Sequence, residues 1–221
     1  MTKKKSEVSR VQKTPIRYNF ELNEEQKKVK AGSYEKAVSI ILGPWGTGKT
    51  ACAVHIGLDY IFKRDQPFDK MILSRPIDFK PTGFLTGNMD EKMAFHIMPL
   101  KQNLYAAYGK EKIDGMFGDG TIQIIPIDYM KGMTFVNAIV IVDEFEDITY
   151  EDFRQIATRL GKGSKLFFTG DENQTKENFK ASCMPKIMKL EKSGLVNFHR
   201  LTINHRELEV EQILKYIENE K

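Results

Sequence analysis

One eight-residue stretch limits the possible folds of this chain more than any other part of its sequence. Residues 43–50 read Gly-Pro-Trp-Gly-Thr-Gly-Lys-Thr, a complete match to the pattern G-x-x-x-x-G-K-[ST]. A β-branched apolar run at residues 37–42 precedes it and predicts a buried strand, and apolar residues at helical spacing follow it over residues 51–62. A strand, a glycine-rich loop and a helix in this order are typical of a loop that binds nucleotide phosphates.

The residue types in this phosphate loop suit phosphate binding for physical reasons. Glycines let the backbone pass close to phosphate oxygens with its N–H groups turned toward them, and the helix N-terminus adds a favourable potential. Lys49 is expected to reach the β- and γ-phosphates of ATP, and the Thr50 hydroxyl to bind Mg²⁺. Trp45 is unusual here, and packing on the following helix is favoured over contact with the nucleotide or a neighbouring subunit. The predicted nucleotide contacts are Gln26, Gly43, Pro44, Trp45, Gly46, Thr47, Gly48, Lys49, Thr50 and Ala51.

The rest of the chain alternates apolar strands with helices. Strands are predicted at residues 70–74, 121–125, 138–142 and 165–169, and helices at residues 22–30, 91–108, 150–160 and 184–192. A last amphipathic helix is predicted from Val210, Ile213, Leu214 and Ile217. Continuous apolar strands between helices indicate an α/β fold, with a mostly parallel sheet covered by helices on both faces.

The positive charge of the chain is concentrated at its start. The net charge is +4, and residues 1–17 contribute +5 through six basic residues against Glu7, so the remaining residues carry about −1. We therefore expect a basic tail over residues 1–17 and a single domain over residues 18–221. A solvated terminus is favoured over a phosphate-binding role for this tail.

Several protein classes are disfavoured by the sequence. The longest strongly apolar stretch, residues 138–142, is far shorter than the roughly 20 residues that cross a bilayer, and no apolar run of a secretory signal follows the first lysines. The cysteines, Cys52 and Cys183, are too few for a disulfide scaffold and lack metal-ligand spacing. We expect a cytoplasmic protein without a membrane partner.

Two carboxylates follow the clearest apolar strand. Asp143 is suited to the Mg²⁺ shell, and Glu144 to polarising the attacking water as a general base. The Asn-Lys-x-Asp motif of GTPases and the Leu-Ser-Gly-Gly-Gln motif of ABC ATPases are absent from the sequence. These features favour an ATP hydrolase with an additional strand between the two site loops, rather than a small-molecule kinase.

Two glutamines each leave two interpretations open. Gln174 follows a predicted strand and is a candidate sensor of the γ-phosphate, the alternative being an ordinary Gly-Asp turn. Gln26 is a candidate for reading adenine through its amide. Because Asn23 precedes it by three residues, Gln26 also fits a capping box at the start of a helix.

Taken together, these motifs resemble the PhoH-like family of single-domain P-loop ATPases related to superfamily-one helicases. The resemblance covers roughly residues 20–218 and implies a RecA-like fold that uses ATP and Mg²⁺. Besides the phosphate loop, it rests on Arg75-Pro76, residues 83–87 (Gly-Phe-Leu-Thr-Gly), Glu91-Lys92, Pro99-Leu100, residues 129–135 (Tyr-Met-Lys-Gly-Met-Thr-Phe), Asp143-Glu144, Thr169-Gly-Asp171 with Gln174, and Arg206.

The sequence also departs from the family pattern at four places. In the family, Asp-Glu is usually followed by Ala-Gln, whereas here Phe145-Glu146 takes the place of Ala-Gln. Met133 replaces the second arginine of the family's Tyr-Met-Arg-Gly-Arg-Thr element. Glu207 stands where the family has a histidine, and Thr86 replaces the proline of its Gly-Phe-Leu-Pro-Gly segment. The first departure affects the coupling role that a glutamine would have beside the general base.

The resemblance implies an ATPase that couples hydrolysis to the remodelling or unwinding of RNA or single-stranded DNA. One RecA-like unit per chain implies a homo-oligomer, such as a hexameric ring, in which Arg206 is the candidate arginine finger; a surface position at a helix start is the alternative. Arg75, Lys80 and Lys131 are candidate nucleic-acid contacts. A slow ATPase switch or scaffold that regulates a protein partner is the competing function.

Overall fold

The structure is a computed structural model that describes residues 17–63, 68–76, 89–174, 182–205, 212, 213 and 216, with backbone alone over residues 89–96. The helices are α1 (Glu24–Glu35), α2 (Lys49–Phe62), α3 (Met89–Ala107), α4 (Lys110–Gly118), α5 (Ile127–Met130), α6 (Tyr150–Ala157) and α7 (Met184–Ile187). The strands are β1 (Val38–Leu42), β2 (Lys70–Ser74), β3 (Ile122–Ile124), β4 (Ala138–Asp143), β5 (Lys165–Gly170) and β6 (Asn197–Arg200). Short 3₁₀ turns cover Phe145–Asp147 and Met188–Leu190.

The strands form one parallel sheet in the order β3-β2-β4-β5-β1-β6. Strand β5 lies between β1, which leads into the phosphate loop, and β4, which ends in Asp143. The additional strand expected between the two site loops is therefore confirmed. Because all neighbouring strands are parallel, their carboxyl ends meet at one edge of the sheet, where open α/β sheets bind their ligands.

Both faces of the sheet are buried, as the continuous apolar strands predict. On β4, Ile139 and Ile141 pack with residues of α2, α3 and α4, whereas Val140 and Val142 pack with residues of α6 and α7. Alternate residues of a strand point to opposite faces, so an apolar residue at every position requires cover on both sides. The expected fold class, a parallel sheet with helices on both faces, is confirmed.

The structure differs from the sequence prediction mainly in its shorter and more polar elements. Helices α4 and α5 and strand β6 were not predicted: α4 contains two glycines, α5 has four residues, and β6 lies at the sheet edge with Phe198 as its one apolar residue. The helix predicted over residues 184–192 is α-helical only in α7 and continues as a 3₁₀ turn. Of the predicted C-terminal face, Ile213 is in a helical turn and exposed, and the other three residues lie outside the described residues.

No helix in the described part of the chain is long and apolar enough to cross a membrane.

Candidate active site

Three adjacent strands end together at the candidate site. The pairing of Leu42 with Gly170 and of Asp143 with Thr169 brings the ends of β1, β5 and β4 level with one another. The phosphate loop leaves β1, Asp143 completes β4, and Asp171 follows β5. The sheet therefore gathers motifs that are distant in the sequence, such as Thr50 and Asp143, which are 93 residues apart.

The phosphate loop has backbone angles that favour its glycines. Gly46 and Gly48 have φ values of +79° and +73°, in the left-handed region that residues with a Cβ atom rarely adopt. A Cβ atom at Gly43 would overlap the carbonyl of Leu201 and lie 2.9 Å from the hydroxyl oxygen of Thr47. The turn that folds the loop over the start of α2 therefore depends on glycine at these positions.

The side chain of Lys49 bonds to the backbone of the phosphate loop. Its ammonium group donates to the carbonyl oxygens of Gly43 at 2.6 Å and Pro44 at 3.0 Å. Burial lowers the pKa of Lys49, while the nearby carboxylates of Asp171 and Glu146 oppose that shift. A nucleotide phosphate entering the loop would offer this partly buried cation charged oxygens in place of neutral carbonyls, which strengthens its hydrogen bonds.

Asp143 joins the phosphate loop to the two neighbouring strands. Its Oδ1 atom accepts hydrogen bonds from the Thr50 hydroxyl at 2.6 Å and from the Thr169 hydroxyl at 2.5 Å. The aspartate is 6% exposed, so this arrangement is held in the interior of the site. The contact with Thr169 could not be inferred without the strand order, although Thr169 belongs to one of the family-like segments.

The oxygen atoms of Thr50 and Asp143 fit a Mg²⁺ site. Hydroxyl and carboxylate oxygens are ligands that Mg²⁺ accepts, and Mg²⁺ commonly completes its shell with substrate phosphates and water. Among the described residues, no group of three or more His, Cys, Asp or Glu side chains could hold a metal ion. The donor set therefore fits an ion shared with a bound nucleotide better than a metal held by protein side chains alone.

Glu144 has an unusual backbone conformation and a cationic partner. Its φ of +52° and ψ of +44° lie in the left-handed region, which is uncommon for a residue other than glycine. Its carboxylate, 45% exposed, forms an ion pair with the guanidinium of Arg75, which directly follows β2. Arg75, a candidate nucleic-acid contact, thus pairs with the predicted general base, a contact that could not be predicted from the sequence.

Glu146 is a second acidic side chain beside the site. It is 4% exposed, and its Oε2 atom has no hydrogen-bond partner within the described structure. A Cβ atom at Gly170 would overlap this oxygen and lie 2.8 Å from the Phe145 ring, so glycine leaves room for the carboxyl group. Burial raises the pKa of Glu146 to about 7, against the lowering effect of backbone N–H groups.

Gln174 lies at the carboxyl end of β5, in the turn that follows Asp171. Its side-chain amide donates to Asp171 Oδ2 at 2.6 Å, and the Asn173 backbone N–H donates to Asp171 Oδ1 at 2.9 Å. The turn is tied to β6 because Arg200 pairs with Glu172 at 3.0 Å. The role of Gln174 as a γ-phosphate sensor therefore stays a prediction. In the structure its side-chain amide is bonded to Asp171.

Gln26 forms the capping box at the start of α1. Its backbone N–H donates to the Asn23 side chain at 2.9 Å, and its Oε1 accepts from the Asn23 backbone at 3.1 Å. Its Nε2 donates to the Thr47 carbonyl at 3.3 Å, which links α1 to the phosphate loop. The capping alternative is confirmed. The adenine contact stays a prediction, and a bidentate one would require the amide to exchange these partners.

The structure describes the remaining candidates to different extents. Trp45 is 51% exposed, and its packing on the following helix stays a prediction. Lys131 pairs with Asp128 at 2.7 Å and Asp152 at 2.6 Å, and both contacts raise the pKa of its ammonium group. Lys80 and Arg206 lie outside the described residues.

The chain passes over the phosphate loop just before Arg206. The backbone N–H of His205 donates to the Gly46 carbonyl at 2.9 Å, and its ring nitrogen lies 2.9 Å from the side-chain nitrogen of Asn23. The phosphate loop therefore helps to fix the position of His205, the residue that precedes Arg206.

Comparison with protein families decides the relationship. The sequence profile of the family described as PhoH-like protein matches residues 21–218. This chain belongs to the PhoH-like family. The resemblance inferred from its motifs is therefore confirmed.

Individual relatives match a shorter stretch. The PhoH-like protein of Synechocystis is 38% identical over 140 residues, which are 62% of this chain and 42% of that protein. The PhoH-like protein of Bacillus subtilis is 36% identical over 135 residues, 60% of this chain and 42% of the relative. The PhoH protein of Escherichia coli is 30% identical over 143 residues, 63% and 40% of the two chains. Each alignment thus spans well under half of the relative's own length.

A solved structure shares the fold at low sequence identity. The large terminase from a thermophilic bacteriophage superposes with a TM-score of 0.53 and 13% identity, covering 87% of this chain and 49% of the terminase. With the strand order and the phosphate loop, this similarity identifies the fold as a RecA-like P-loop fold.

The raised pKa of Glu146 predicts that Glu146→Gln stabilises the folded protein by an amount that depends on pH. Glutamine is the residue usual in the family at this position. The native pKa of about 7 exceeds the reference value of 4.5, so the native carboxyl holds its proton where the unfolded one loses it. Stability is therefore lost as the pH rises from about 5 through 7. Removing the charge should raise the free energy of unfolding at pH 8 by up to about 3 kcal/mol, with a shrinking gain toward pH 5.

Urea unfolding of the nucleotide-free protein between pH 5.5 and 8 measures this difference. The exposed Glu111→Gln on α4 is the matched control, and its effect should be equal at both ends of the range. Parallel pH profiles for the wild type and Glu146→Gln would show that Glu146 is not held protonated by its surroundings.

Proposed function

We propose that the protein is a Mg²⁺-dependent ATPase that couples hydrolysis to the remodelling of single-stranded RNA or DNA. The observation that carries this proposal is the 2.6 Å contact between Thr50 and Asp143. This contact places the end of the phosphate loop directly beside the strand that delivers Glu144. Phosphate binding, metal binding and water activation then fall within one small region.

Each side chain has a role in hydrolysis that follows from its position. Lys49 exchanges the carbonyls of Gly43 and Pro44 for phosphate oxygens and stabilises the negative charge that develops on them. Thr50 and Asp143 would hold Mg²⁺, which when bound neutralises phosphate charge. Glu144, the next residue after Asp143, accepts hydrogen bonds from the attacking water and orients it.

Gln174 is proposed to link hydrolysis to movement. Its amide is held by Asp171 at the end of β5, and the same turn is paired to β6 through Arg200. A γ-phosphate that draws the amide away from Asp171 would change the restraint on this turn. Loss of the phosphate after hydrolysis would restore it.

The nucleic-acid part of the proposal rests on family membership. We propose that neighbouring copies assemble into a ring, with a hexamer as one form. Arg206 from a neighbouring copy would complete the site, and Arg75, Lys80 and Lys131 would contact the polynucleotide backbone in a cytoplasmic setting.

A slow ATPase switch is the second candidate function. The ion pair between Arg75 and Glu144 favours slow basal turnover, because a carboxylate held by a cation is less available to water. A switch would keep ATP bound and respond to a protein partner, with no change in turnover when polynucleotides are added.

Steady-state ATP hydrolysis with and without single-stranded RNA or DNA tests the proposal. Glu144→Gln should lower kcat by about 100-fold or more, the usual contribution of a general base, while ATP binding persists. Loss of binding is instead expected for Lys49→Ala. The motor predicts turnover that rises with polynucleotide and a binding affinity that falls with salt.

Wild-type turnover in Glu144→Gln would contradict the assignment of the base. Slow hydrolysis that neither polymer changes would favour the switch over the motor.

The ring has its own test. Sedimentation of the protein with Mg²⁺ and ATP should show a multimer, because the site is proposed to be completed by a neighbouring copy. A strict monomer with full ATPase activity would contradict the ring and the role of Arg206 in a neighbour's site.

A further inference from the structure

The pairing of Arg75 with Glu144 points to a restraint on the proposed general base. Ser74, the last residue of β2, is in register with Val142 of β4, so Arg75 follows level with Asp143, one residue before Glu144. The Nη2 atom of Arg75 contacts Glu144 Oε1. The guanidinium side chain is 19% exposed and the carboxylate 45%, so the pair lies at the surface of the site.

The direction of this contact matters for hydrolysis. In the sheet order β2-β4-β5-β1, Arg75 follows β2 on one side of β4, and the phosphate loop follows β1 on the other side. The ion pair therefore draws the Glu144 carboxylate toward β2, away from the side where the phosphates bind. A water aligned with the γ-phosphate would need the carboxylate to turn back across β4.

The backbone adds to this restraint. Glu144 keeps a left-handed conformation that is unfavourable for its residue type, and such strain concentrates at functional sites. The next turn fixes the conformation, because the Asp147 backbone N–H donates to the Glu144 carbonyl at 3.1 Å. With the backbone held, the orientation of the carboxylate depends on the side-chain torsions and on Arg75.

The strand that leads into the phosphate loop lies far from the strand that precedes Arg75. Strands β2 and β1 are three positions apart in the sheet, which corresponds to about 14 Å at the usual strand spacing. The anion that competes with Glu144 for the guanidinium would therefore come from outside the phosphate loop. A polynucleotide backbone offers such groups, since each of its phosphates carries one negative charge, as the Glu144 carboxylate does, and can accept paired hydrogen bonds from arginine.

We propose that Arg75 is a positioning residue that holds Glu144 in a resting orientation, and that a phosphate of a single-stranded polynucleotide releases Glu144 by binding the guanidinium. This inference rests on the proposed ATPase function. It makes Arg75 the link between polynucleotide binding and the activation of water.

Kinetics of Arg75→Ala with and without oligo-uridine or oligo-thymidine test this link. Basal kcat should rise about two- to fivefold, the fold-change expected for losing one partly exposed ion pair. The KM for ATP should stay unchanged because the phosphate loop is not altered. The ratio of kcat with polymer to kcat without polymer should fall toward one. Arg75→Lys keeps a charge without the planar fork, so it should show an intermediate basal rate and partial stimulation.

Arg154→Ala is the matched control, because it removes an exposed arginine–glutamate pair with Glu151 on α6. It should leave both basal and stimulated rates as in the wild type. Circular dichroism establishes that each variant is folded, and Arg75→Lys provides the test if Arg75→Ala does not fold.

Three results would overturn the inference, and they can be told apart. A basal kcat at or below the wild-type value in both Arg75 variants would show that Arg75 does not restrain Glu144, with ATP hydrolysis itself still established. Wild-type hydrolysis that neither polymer changes would refute the release step. No hydrolysis above the Glu144→Gln background in any of these proteins would refute the proposed ATPase function together with the restraint.

Discussion

The geometry of the site depends on the hydrogen bonds that the Asp143 carboxylate accepts. Its Oδ1 atom accepts from Thr50 at the start of α2 and from Thr169 near the end of β5. Three elements that the chain builds separately are thereby held at fixed distances. Because Glu144 follows Asp143 directly, the same contact fixes where the proposed base begins relative to the phosphate loop.

Two cationic side chains at this edge of the sheet have partners within the protein. Lys49 is bonded to the carbonyls of its own loop, and Arg75 is paired with Glu144. Burial keeps Glu146 protonated toward neutral pH, which limits the negative charge beside Asp143. In the proposed mechanism, a bound triphosphate would compete for Lys49 inside the loop, and a polynucleotide for Arg75 outside it. These two proposed events would act on opposite sides of β4.

The parts of the fold that could be predicted are those with strong local patterns. Strand β2 was predicted with its observed bounds because an apolar run is flanked by polar residues. The phosphate loop was identified because glycine spacing, strand and helix all agree. In contrast, β6 was missed, since Asn197–Arg200 is a polar edge strand stabilised by pairing with β1 rather than by its own apolar pattern.

The sequence allowed candidate site residues to be named, but not the side chains that they contact. Asp143 and Thr50 were assigned to the same metal because each belongs to a known type of motif. The structure brings the two side chains into contact, and the metal site stays a prediction. The pairing of Arg75 with Glu144 depends on β2 and β4 being neighbours, which the sequence alone does not specify. The burial of Glu146 likewise depends on how Gly170 and Phe145 pack against it.

Calorimetric titration of ATP with and without Mg²⁺ tests the role of Asp143 most directly. It is best done with Glu144→Gln as the parent protein, so that hydrolysis does not consume the ligand. If Asp143 and Thr50 hold the ion, Mg²⁺ strengthens ATP binding in the parent, and adding Asp143→Asn reduces this effect by about tenfold or more. An equal Mg²⁺ dependence in both proteins would contradict the central claim that this carboxylate joins the phosphate loop to the metal.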